Sequence, residues 1–357
     1  MTTCEQSHEG GTIGIDLGDR YSHYCELDAH GLLVEEGRFS TTAEGLRRRF
    51  GTIPRARIAI EAGAQSAWVA RLLAACGHEV VVANPRKLRL IYQNDKKSDR
   101  IDASQLARVA RMDPQLLSPI QHRPLRVQQD LAALRARQAL VRARTQLVNH
   151  VRAATKAFGG RLPKCSTTSF ARRIRSALPA DLTSLLTPLL EVVDVLTKEI
   201  RQFDGTVAAL VTTTYPETAR LHQVPGVGPV TALTYRLTID DPHRFARSRA
   251  IGSYLGLRPW QRASGAQDRQ LRITKAGDND LRRLLVGCAQ YTLGPFGPDS
   301  DLRRWGLSIA ARGGKNAKKR AVVAVARKLA ILLHRLWITG ATYEPFRIRP
   351  EDRTAAS

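Results

Sequence analysis

The order of short apolar runs in the first third of the chain constrains the fold more than any other feature. Runs of β-branched and apolar residues closed by glycine, proline or aspartate predict strands, and longer segments with apolar residues three or four apart predict helices. The predicted order is strand, strand, strand, helix, strand, helix, strand, helix, with elements at residues 12–18, 23–27, 32–39, 42–50, 57–63, 65–76, 79–83 and from 98 onward. Strands that alternate with helices fold into a sheet covered by those helices. We therefore predict an α/β domain at residues 11–122.

Two carboxylates three residues apart begin the last of these helices. Ser98 is a suitable N-cap, and Asp99 and Asp102 then project side by side from the first helical turn. A bound cation would offset the repulsion within this pair, and ligation by oxygen alone favours Mg²⁺ or Mn²⁺ over zinc. Two acids at a helix N-terminus also complement the helix dipole, so the pair by itself leaves both interpretations open.

Two further acids fall at informative places in the predicted sheet. The order of elements is that of the ribonuclease H-like fold, in which the first and fourth strands are neighbours. Asp16 ends the first strand and Glu61 ends the fourth, so we expect both carboxylates to lie near Asp99 and Asp102. Because crowded like charges destabilise a folded chain unless a cation offsets them, the complete set favours a metal site.

The charge of the chain points to a polyanionic partner. Its 357 residues include 56 Lys and Arg against 32 Asp and Glu, which gives a formal net charge of +24. An imbalance of this size attracts nucleic acid from a distance. An acidic membrane surface is the rival partner, but the sequence has no apolar run long enough to cross a bilayer and no N-terminal signal-peptide pattern. We therefore expect no membrane association and a cytoplasmic location with reduced cysteines.

The middle of the chain, residues 123–214, has the pattern of long helices. One helix is predicted at residues 125–158, and a second is predicted to begin with Thr187 as N-cap and Pro188 as its first residue. Apolar residues of the second helix recur at steps of four and three as far as Leu210, which is typical of a coiled coil or helical bundle. The predicted product is an antiparallel helical hairpin. The pattern leaves open whether its apolar stripe serves self-association or packing within one chain.

The third region, residues 215–342, is predicted to be mainly helical and to be followed by a tail at 343–357. Residues 224–232 resemble the turn of a helix-hairpin-helix element, in which Gly226 and Gly228 allow backbone N–H groups to hold a phosphate. A plain turn between two helices is the alternative. The sequence therefore indicates a candidate contact with the DNA backbone that reads no bases.

A serine and a series of basic residues complete the candidate set. Ser264 stands beside a glycine and precedes Arg272, Lys275 and Arg282, so it could be a nucleophile that faces a phosphate held by cations. By itself the segment could equally be a surface turn. Further basic residues precede an amphipathic helix and suit a phosphate backbone: Lys315, Lys318, Lys319 and Arg320.

Taken together, these residues resemble the DEDD transposases of bacterial insertion sequences, in the group numbered one hundred and ten. Segments similar to the RuvC-like motifs of that family are residues 13–16, 60–62, 97–103 and 106–107. Segments similar to its C-terminal transposase domain are residues 224–228, 255–259, 264–265, 273–277 and 281–282. They follow the expected order and cover most of the chain, and no residue of the four-carboxylate set departs from the family pattern.

The resemblance implies a specific activity. Members of this family recombine DNA under the guidance of a structured bridge RNA that pairs with both target and donor DNA. By matching position, Mg²⁺, with Mn²⁺ as a substitute, would be held by Asp16, Glu61, Asp99 and Asp102. Ser264 would attack the DNA phosphate and form a phosphoserine intermediate. The resemblance also implies homodimers that pair into a tetramer, sites shared between subunits, and a nucleoid-associated location in a bacterial cytoplasm.

Three other classes of protein share part of these features. A RuvC-like nuclease for Holliday junctions or other DNA structures would have the carboxylates but would use water as the nucleophile. A sugar kinase or actin-like ATPase can open with a similar strand and glycine, although no second phosphate motif is found here. A non-catalytic nucleic-acid-binding protein would explain the charge but not the four acids.

Overall fold

The computed structural model describes residues 10–87, 98–264 and 267–346, except for the side chains of 261–271. It divides into two compact units, with the division between His122 and Arg123. Parts of the sequence patterns lie outside the described residues, namely Lys96 and Lys97 before the acidic pair, Gly265, and the tail from residue 347.

The first unit is a mixed sheet with helices on both faces. Its elements are β1 (Thr12–Asp16), β2 (Tyr21–Leu27), β3 (Leu33–Ser40), α1 (Ala43–Phe50), β4 (Arg57–Glu61), α2 (Ser66–Ala75), β5 (Glu79–Ala83) and α3 (Asp99–Met112). The strand order is β3-β2-β1-β4-β5. β1 is antiparallel to β2 and parallel to β4, and β4 is parallel to β5. The predicted elements and their order are therefore confirmed.

Alternation along β1 and β4 decides what covers each face of the sheet. Ile13 and Ile15 of β1 are buried with Ile58 and Ile60 of β4 in the core that α1 and α2 close. The residues between them, such as Ala59, face the opposite side and pack with α3. The face with the large residues is therefore covered by α1 and α2. On the opposite face, small residues allow α3 to lie close to the strands.

Gly14 is the point of closest approach between β1 and α3. A Cβ atom at this position would lie 2.1 Å from the Ala103 carbonyl oxygen and 2.4 Å from the Ala107 backbone nitrogen. Because both neighbours are backbone atoms, no side-chain rotation could relieve the clash. The glycine therefore sets the depth at which α3, and with it Asp99 and Asp102, sits on the sheet.

Over its described residues, the second unit consists of helices and one hairpin. Its helices are α4 (Leu125–Ala157), α5 (Phe170–Ile174), α6 (Ala180–Ala209), α7 (Ala219–His222), α8 (Pro229–Ile239), α9 (Arg249–Tyr254), α10 (Asn279–Leu293), α11 (Asp301–Ala311) and α12 (Ala317–Thr339). The hairpin consists of β6 (Pro259–Ser264) and β7 (Gln267–Ile273), paired antiparallel. A predicted α/β first unit with a helical remainder is thus confirmed.

Helices α4 and α6 form an antiparallel pair. Val148 and Val151, near the end of α4, share a core with Leu186 and Leu190 of α6. The start of α4 instead shares a core with the end of α6, with the π-helical turn that follows it, and with α8. Much of the apolar stripe of α6 is therefore covered within the chain, although α6 also presents apolar side chains to solvent.

The predicted start of the second long helix at Thr187 and Pro188 is wrong. The helix begins at Ala180, and the Thr187 hydroxyl donates to the Thr183 carbonyl 2.7 Å away, inside the helix. A proline in a helix interior removes one backbone hydrogen bond and costs about 3 kcal/mol. Buried Leu186 and Leu190 on either side of Pro188 pack against the rest of the hairpin, and this packing holds the helix through the proline.

Candidate active site

Asp16 and Glu61 end neighbouring strands. β1 and β4 pair in parallel up to Ile15 and Ile60, so the next residue of each strand lies at the same edge of the sheet. Both acids are partly buried. The parallel register therefore brings these two carboxylates to one place, as the strand order predicted.

Asp99 and Asp102 reach this edge from the first turn of α3. The Ser98 hydroxyl accepts a hydrogen bond from the Ile101 N–H at 3.3 Å, as predicted for an N-cap. Arg100, which points away from the pair, donates from Nε to Glu36 of β3 at 2.7 Å. The cap and this ion pair fix the direction in which the helix starts.

Three of the carboxylates act electrostatically on the fourth, Asp16. Burial raises the pKa of Asp16 to about 6, with further contributions from the negative charges of Asp99, Asp102 and Glu61. His23 lies opposite Asp16 in the register of β1 and β2 and acts in the other direction. The structure thus gathers the other three predicted acids around Asp16, where a negative charge is costly without a cation.

The donor set has the chemistry of a site for a hard divalent cation, since carboxylate oxygens are the ligands that Mg²⁺, Mn²⁺ and Ca²⁺ prefer. Among the described residues, however, no three His, Cys, Asp or Glu side chains converge closely enough to hold an ion as they stand. The parallel register of β1 and β4 and the electrostatic effect of the other acids on Asp16 put these groups near one another, whereas ligation needs oxygens about 2.0–2.6 Å from one ion. Binding therefore requires the carboxylates to draw together around the cation.

Ser264 belongs to the second unit and ends strand β6. Its backbone pairs with Gln267 of β7, so the serine sits at the end of the hairpin ladder, beside residues 265–266. At the other end of the ladder Pro259 pairs with Ile273. We call this end, where Pro259 pairs with Ile273, the base of the hairpin. Ser264 lies five residues from Pro259 along β6.

Most of the predicted nucleic-acid-binding side chains are exposed. These are Arg272, Lys275, Lys315, Lys318, Lys319 and Arg320. Gly226 and Gly228 are also exposed, in the turn between α7 and α8, and Gly226 has a positive φ of 88°. A side chain at Gly226 would also meet Tyr291 at 2.7 Å.

Arg282 is placed differently from the prediction. Its side chain is buried, with 7% of its surface exposed. It donates to the carbonyls of Leu255 and Ala276, at 3.0 and 2.6 Å, and to the Asn279 side chain at 2.9 Å. These bonds join the turn before β6 to the turn after β7, so the residue secures the base of the hairpin instead of presenting its charge to a phosphate.

Comparison with known proteins gives two family matches. A model of DEDD transposases of the IS110 type matches residues 13–158. A model described as transposase IS116/IS110/IS902 family matches residues 218–301. The transposase for insertion sequence element IS1328 of Yersinia enterocolitica is 31% identical over 286 residues, which cover 78% of this chain and 82% of the relative. The chain belongs to the IS110/IS116 family of transposases.

Two further relatives of this transposase match over nearly the whole chain. A probable family 20 transposase of Pseudomonas aeruginosa is 28% identical over 343 residues, 93% of this chain and 98% of the relative. The transposase for insertion sequence element IS1111A of Coxiella burnetii is 27% identical over 347 residues, 93% of this chain and 90% of the relative. The protein is therefore an enzyme that cuts and rejoins DNA, and the DEDD match implies dependence on a divalent cation.

The two family matches divide the candidate residues of the transposase. The first match includes the four acids, and the second includes Ser264 and the buried Arg282. Lys315 and the other basic residues at the start of α12 lie beyond both matches. No helix in the described part of the transposase is long and apolar enough to span a membrane.

Sequence reasoning missed several side chains beside these residues. His23 could have been found from the strand register, because it pairs across the β1–β2 turn with Asp16, the last residue of β1. Gln65 donates to the carbonyls of Gly18 and Asp19, at 3.1 and 3.3 Å, and so ties the turn after Asp16 to the start of α2. No local sequence pattern distinguishes that glutamine.

Proposed function

We propose that this transposase recombines DNA under the guidance of a bridge RNA, with Mg²⁺ at the four acids and Ser264 as the nucleophile. The observation that carries the proposal is the convergence of Asp99, Asp102 and Glu61 on half-buried Asp16. Three acids placed so that they add to the effect of burial on the pKa of Asp16 have no evident role in folding. A divalent cation among them offsets their repulsion.

The proposed function also assigns a type of domain to each region of the chain. We infer that residues 11–122 form a RuvC-like, ribonuclease H-like domain, residues 123–214 a coiled-coil region, and residues 215–342 a transposase domain with a helix-hairpin-helix-like element. The strand order β3-β2-β1-β4-β5, with two antiparallel and two parallel pairs, supports the first assignment. The turn at Gly226 between α7 and α8 supports the last.

Each residue has a role in the proposed reaction. Asp16, Glu61, Asp99 and Asp102 would hold Mg²⁺, with Mn²⁺ as a substitute, and the N-cap of α3 would orient the last two. When bound, the cation supplies charge stabilisation at the scissile phosphate and activation of a weak hydroxyl nucleophile. The Ser264 oxygen forms a bond to phosphorus while the bond from phosphorus to the deoxyribose oxygen breaks.

The proposed serine step balances without an external energy source. The serine hydroxyl loses one proton and the departing deoxyribose oxygen gains one. One phosphodiester replaces another, so attack by a new deoxyribose hydroxyl on the phosphoserine rejoins the strand without ATP. The order of these steps explains how one serine would serve both cutting and joining.

Self-association is proposed through the outer face of α6. Leu185, Val192 and Val195 are exposed there, at 68%, 47% and 59% of their surface, and recur at helical spacing on the side away from α4. Exposed apolar side chains in one stripe are typical of a contact with another helix. We propose that this stripe joins two copies into a dimer, that dimers pair into a tetramer, and that acids of one subunit act with Ser264 of another.

The proposal is tested with purified protein, guide RNA and both DNA substrates. Asp102→Asn and Ser264→Ala should each abolish strand exchange while RNA binding persists. Ser184→Ala, at an exposed position of α6, serves as the matched serine control and should retain activity. A protein–DNA adduct trapped in the wild type should map to Ser264.

The same experiment separates the recombinase from a RuvC-like nuclease. A nuclease that activates water shares the four acids, so Asp102→Asn would still be inactive. Ser264→Ala would, however, continue to cut DNA and no adduct would form. Recombination by Ser264→Ala at the wild-type rate would overturn the serine mechanism.

A further inference from the structure

The second unit contains a cleft of about 1320 Å³ between the base of the hairpin and helices α9, α11 and α12. Eight basic side chains line it, and no Asp or Glu is found among its described lining residues. Four of the eight, Arg272, Lys275, Lys319 and Arg320, are candidates from the sequence. A cleft with so one-sided a charge is complementary to a polyanion.

The other four basic residues come from elements far apart in the sequence. Arg249 begins α9, Arg312 follows α11, and Arg327 and Lys328 lie in the middle of α12. Only the fold brings them together with the hairpin base. The eight basic side chains therefore form one continuous lining, although they come from separate elements of the fold.

The same cleft has an extensive apolar lining. Leu257 and Ile273 contribute from the hairpin base, Trp305 and Ile309 from α11, and Val323 and Ile331 from α12. The Lys328 ammonium lies 3.9 Å from the centre of the Trp305 ring. A duplex presents phosphates and sugars to a protein surface, and its base faces are stacked inside. It therefore gains little from apolar and aromatic side chains. A single strand exposes base faces that apolar and aromatic side chains can cover.

The strand that carries the candidate nucleophile begins at the cleft. Pro259 lines the cleft and begins β6, and Ser264 ends that strand five residues later. At about 3.3 Å per residue the strand spans roughly 17 Å. At the spacing of about 3.4 Å per nucleotide found in B-form DNA, that distance corresponds to roughly five nucleotides, and an extended single strand covers it in fewer.

We propose that this cleft binds an unpaired segment of nucleic acid, with its phosphates on the basic lining and its bases on the apolar surface, and directs the strand along the hairpin toward Ser264. The binding of an unpaired strand follows from the cleft alone. Only the direction toward Ser264 rests on the proposed function. The ligand is a single strand of either DNA or RNA.

The charge of the cleft is tested by fluorescence anisotropy on the full-length protein, with a 20-nucleotide oligo-dT, a 20-nucleotide oligo-U and a 20-base-pair duplex as probes. Arg312→Gln/Lys319→Gln should weaken single-strand binding about tenfold. It should also reduce the slope of log affinity against log salt by roughly 1.4, since each lost contact contributes about 0.7. Arg172→Gln/Arg173→Gln removes the same charge from exposed positions of α5 and should leave both values unchanged.

The apolar surface is tested by a second pair of variants on one helix. Ile309→Asn changes a partly buried side chain that lines the cleft, and Leu307→Asn changes an exposed neighbour outside it. Ile309→Asn should weaken single-strand binding roughly fivefold and leave duplex binding unchanged, whereas Leu307→Asn should alter neither. Thermal unfolding of each variant establishes that it folds.

Two results would overturn the inference. Equal losses in Arg312→Gln/Lys319→Gln and Arg172→Gln/Arg173→Gln would mean that net charge, not the cleft, governs binding. Ile309→Asn with unchanged single-strand affinity would mean that bases do not contact the apolar surface. A preference for oligo-dT or for oligo-U identifies the natural strand, and either supports the proposal.

The outcome does not depend on the serine mechanism. Ser264→Ala retains the whole cleft and should bind oligo-dT as the wild type does. Failure of the cleft variants therefore leaves the proposed chemistry standing. Recombination by Ser264→Ala would overturn that chemistry without affecting the strand-binding result.

Discussion

The two units concentrate charge in opposite ways. In the first, burial and then the charges of three neighbouring carboxylates raise the pKa of Asp16 to about 6. In the second, eight basic side chains, most of them exposed, are spread around an open cleft. A convergent set of acids is costly until a small cation joins it, whereas exposed cations at intervals cost little and suit an extended polyanion. We therefore expect the acids of the first unit to govern the chemical step, together with Ser264, and the basic cleft of the second unit to govern affinity. Substitutions can test this separation.

The largest effect is expected from Glu61→Gln. Removal of one carboxylate from the acid set should lower strand exchange about a thousandfold, because several kcal/mol of transition-state stabilisation depend on the cation. Nucleic-acid affinity should remain unchanged in a filter-binding or anisotropy assay. Asp19→Asn, at an exposed position in the turn after β1, is the matched control and should retain activity. Parallel loss of affinity and activity in Glu61→Gln would contradict the separation of the two units.

Arg282→Gln tests whether a cation outside the basic lining contributes to folding stability and not to nucleic-acid affinity. Its guanidinium donates to two backbone carbonyls and one side chain from a buried position. Loss of that charge and of its bonds should lower the free energy of unfolding by about 3 kcal/mol in a urea titration. Arg283→Gln removes an exposed ion pair with Asp280 and should cost less than about 0.5 kcal/mol. Equal effects of the two substitutions would show that burial of Arg282 contributes nothing.

The sheet could be predicted because its signals are local. Each strand of the first unit is a short apolar run that is followed by residues typical of turns. Ser98, the N-cap of α3, directly precedes the helix in sequence. The positions of Asp16 and Glu61 follow once the strand order is known, since both residues end strands that pair in parallel.

Arg282 could not be predicted because its surroundings are distant in sequence. In the sequence it is one basic residue among several. Two of its acceptors, the carbonyls of Leu255 and Ala276, lie in turns that come together where Gly256, with a φ of 66°, lies against the backbone of Ala276, twenty residues later. The helix start predicted at Pro188 was wrong for a related reason. A proline is a strong local signal for a helix start, but the packing of Leu186 and Leu190 outweighs it.

Gly14→Ala tests how the sheet supports the acid edge. The added Cβ would lie 2.1 Å from a backbone oxygen of α3, so the helix must move away from β1. We expect a loss of about 2 kcal/mol in unfolding free energy and weaker binding of Mn²⁺, measured by calorimetry, because Asp99 and Asp102 move with the helix. At Gly63 an added Cβ meets nothing within 4 Å, so Gly63→Ala should leave the unfolding free energy nearly unchanged. Unaltered Mn²⁺ affinity in Gly14→Ala would mean that the depth of α3 does not position the acids.

The smallest effect concerns the stability of the metal-free protein as a function of pH. The pKa of Asp16 is about 6 in the folded chain and 3.8 for an ordinary aspartate. The folded state therefore binds this proton more tightly than the unfolded state does. The stability contributed by the protonated carboxyl is complete below about pH 3.8 and is lost as the pH rises through 6. Asp16→Asn removes the ionisation and should avoid that loss.

In EDTA at pH 7.5, Asp16→Asn should be more stable than the wild type by about 1 kcal/mol, a value reduced from the full linkage energy because Asp16 is only partly buried. At pH 4.5 most of this difference should disappear, since wild-type Asp16 is then protonated in the folded state. Denaturant titrations of both proteins at the two pH values measure the change. An advantage of the same size at both pH values would show that packing, and not repulsion among the four acids, separates the two proteins. An advantage confined to pH 7.5 that vanishes when Mn²⁺ replaces EDTA would mean that the cation relieves the same repulsion.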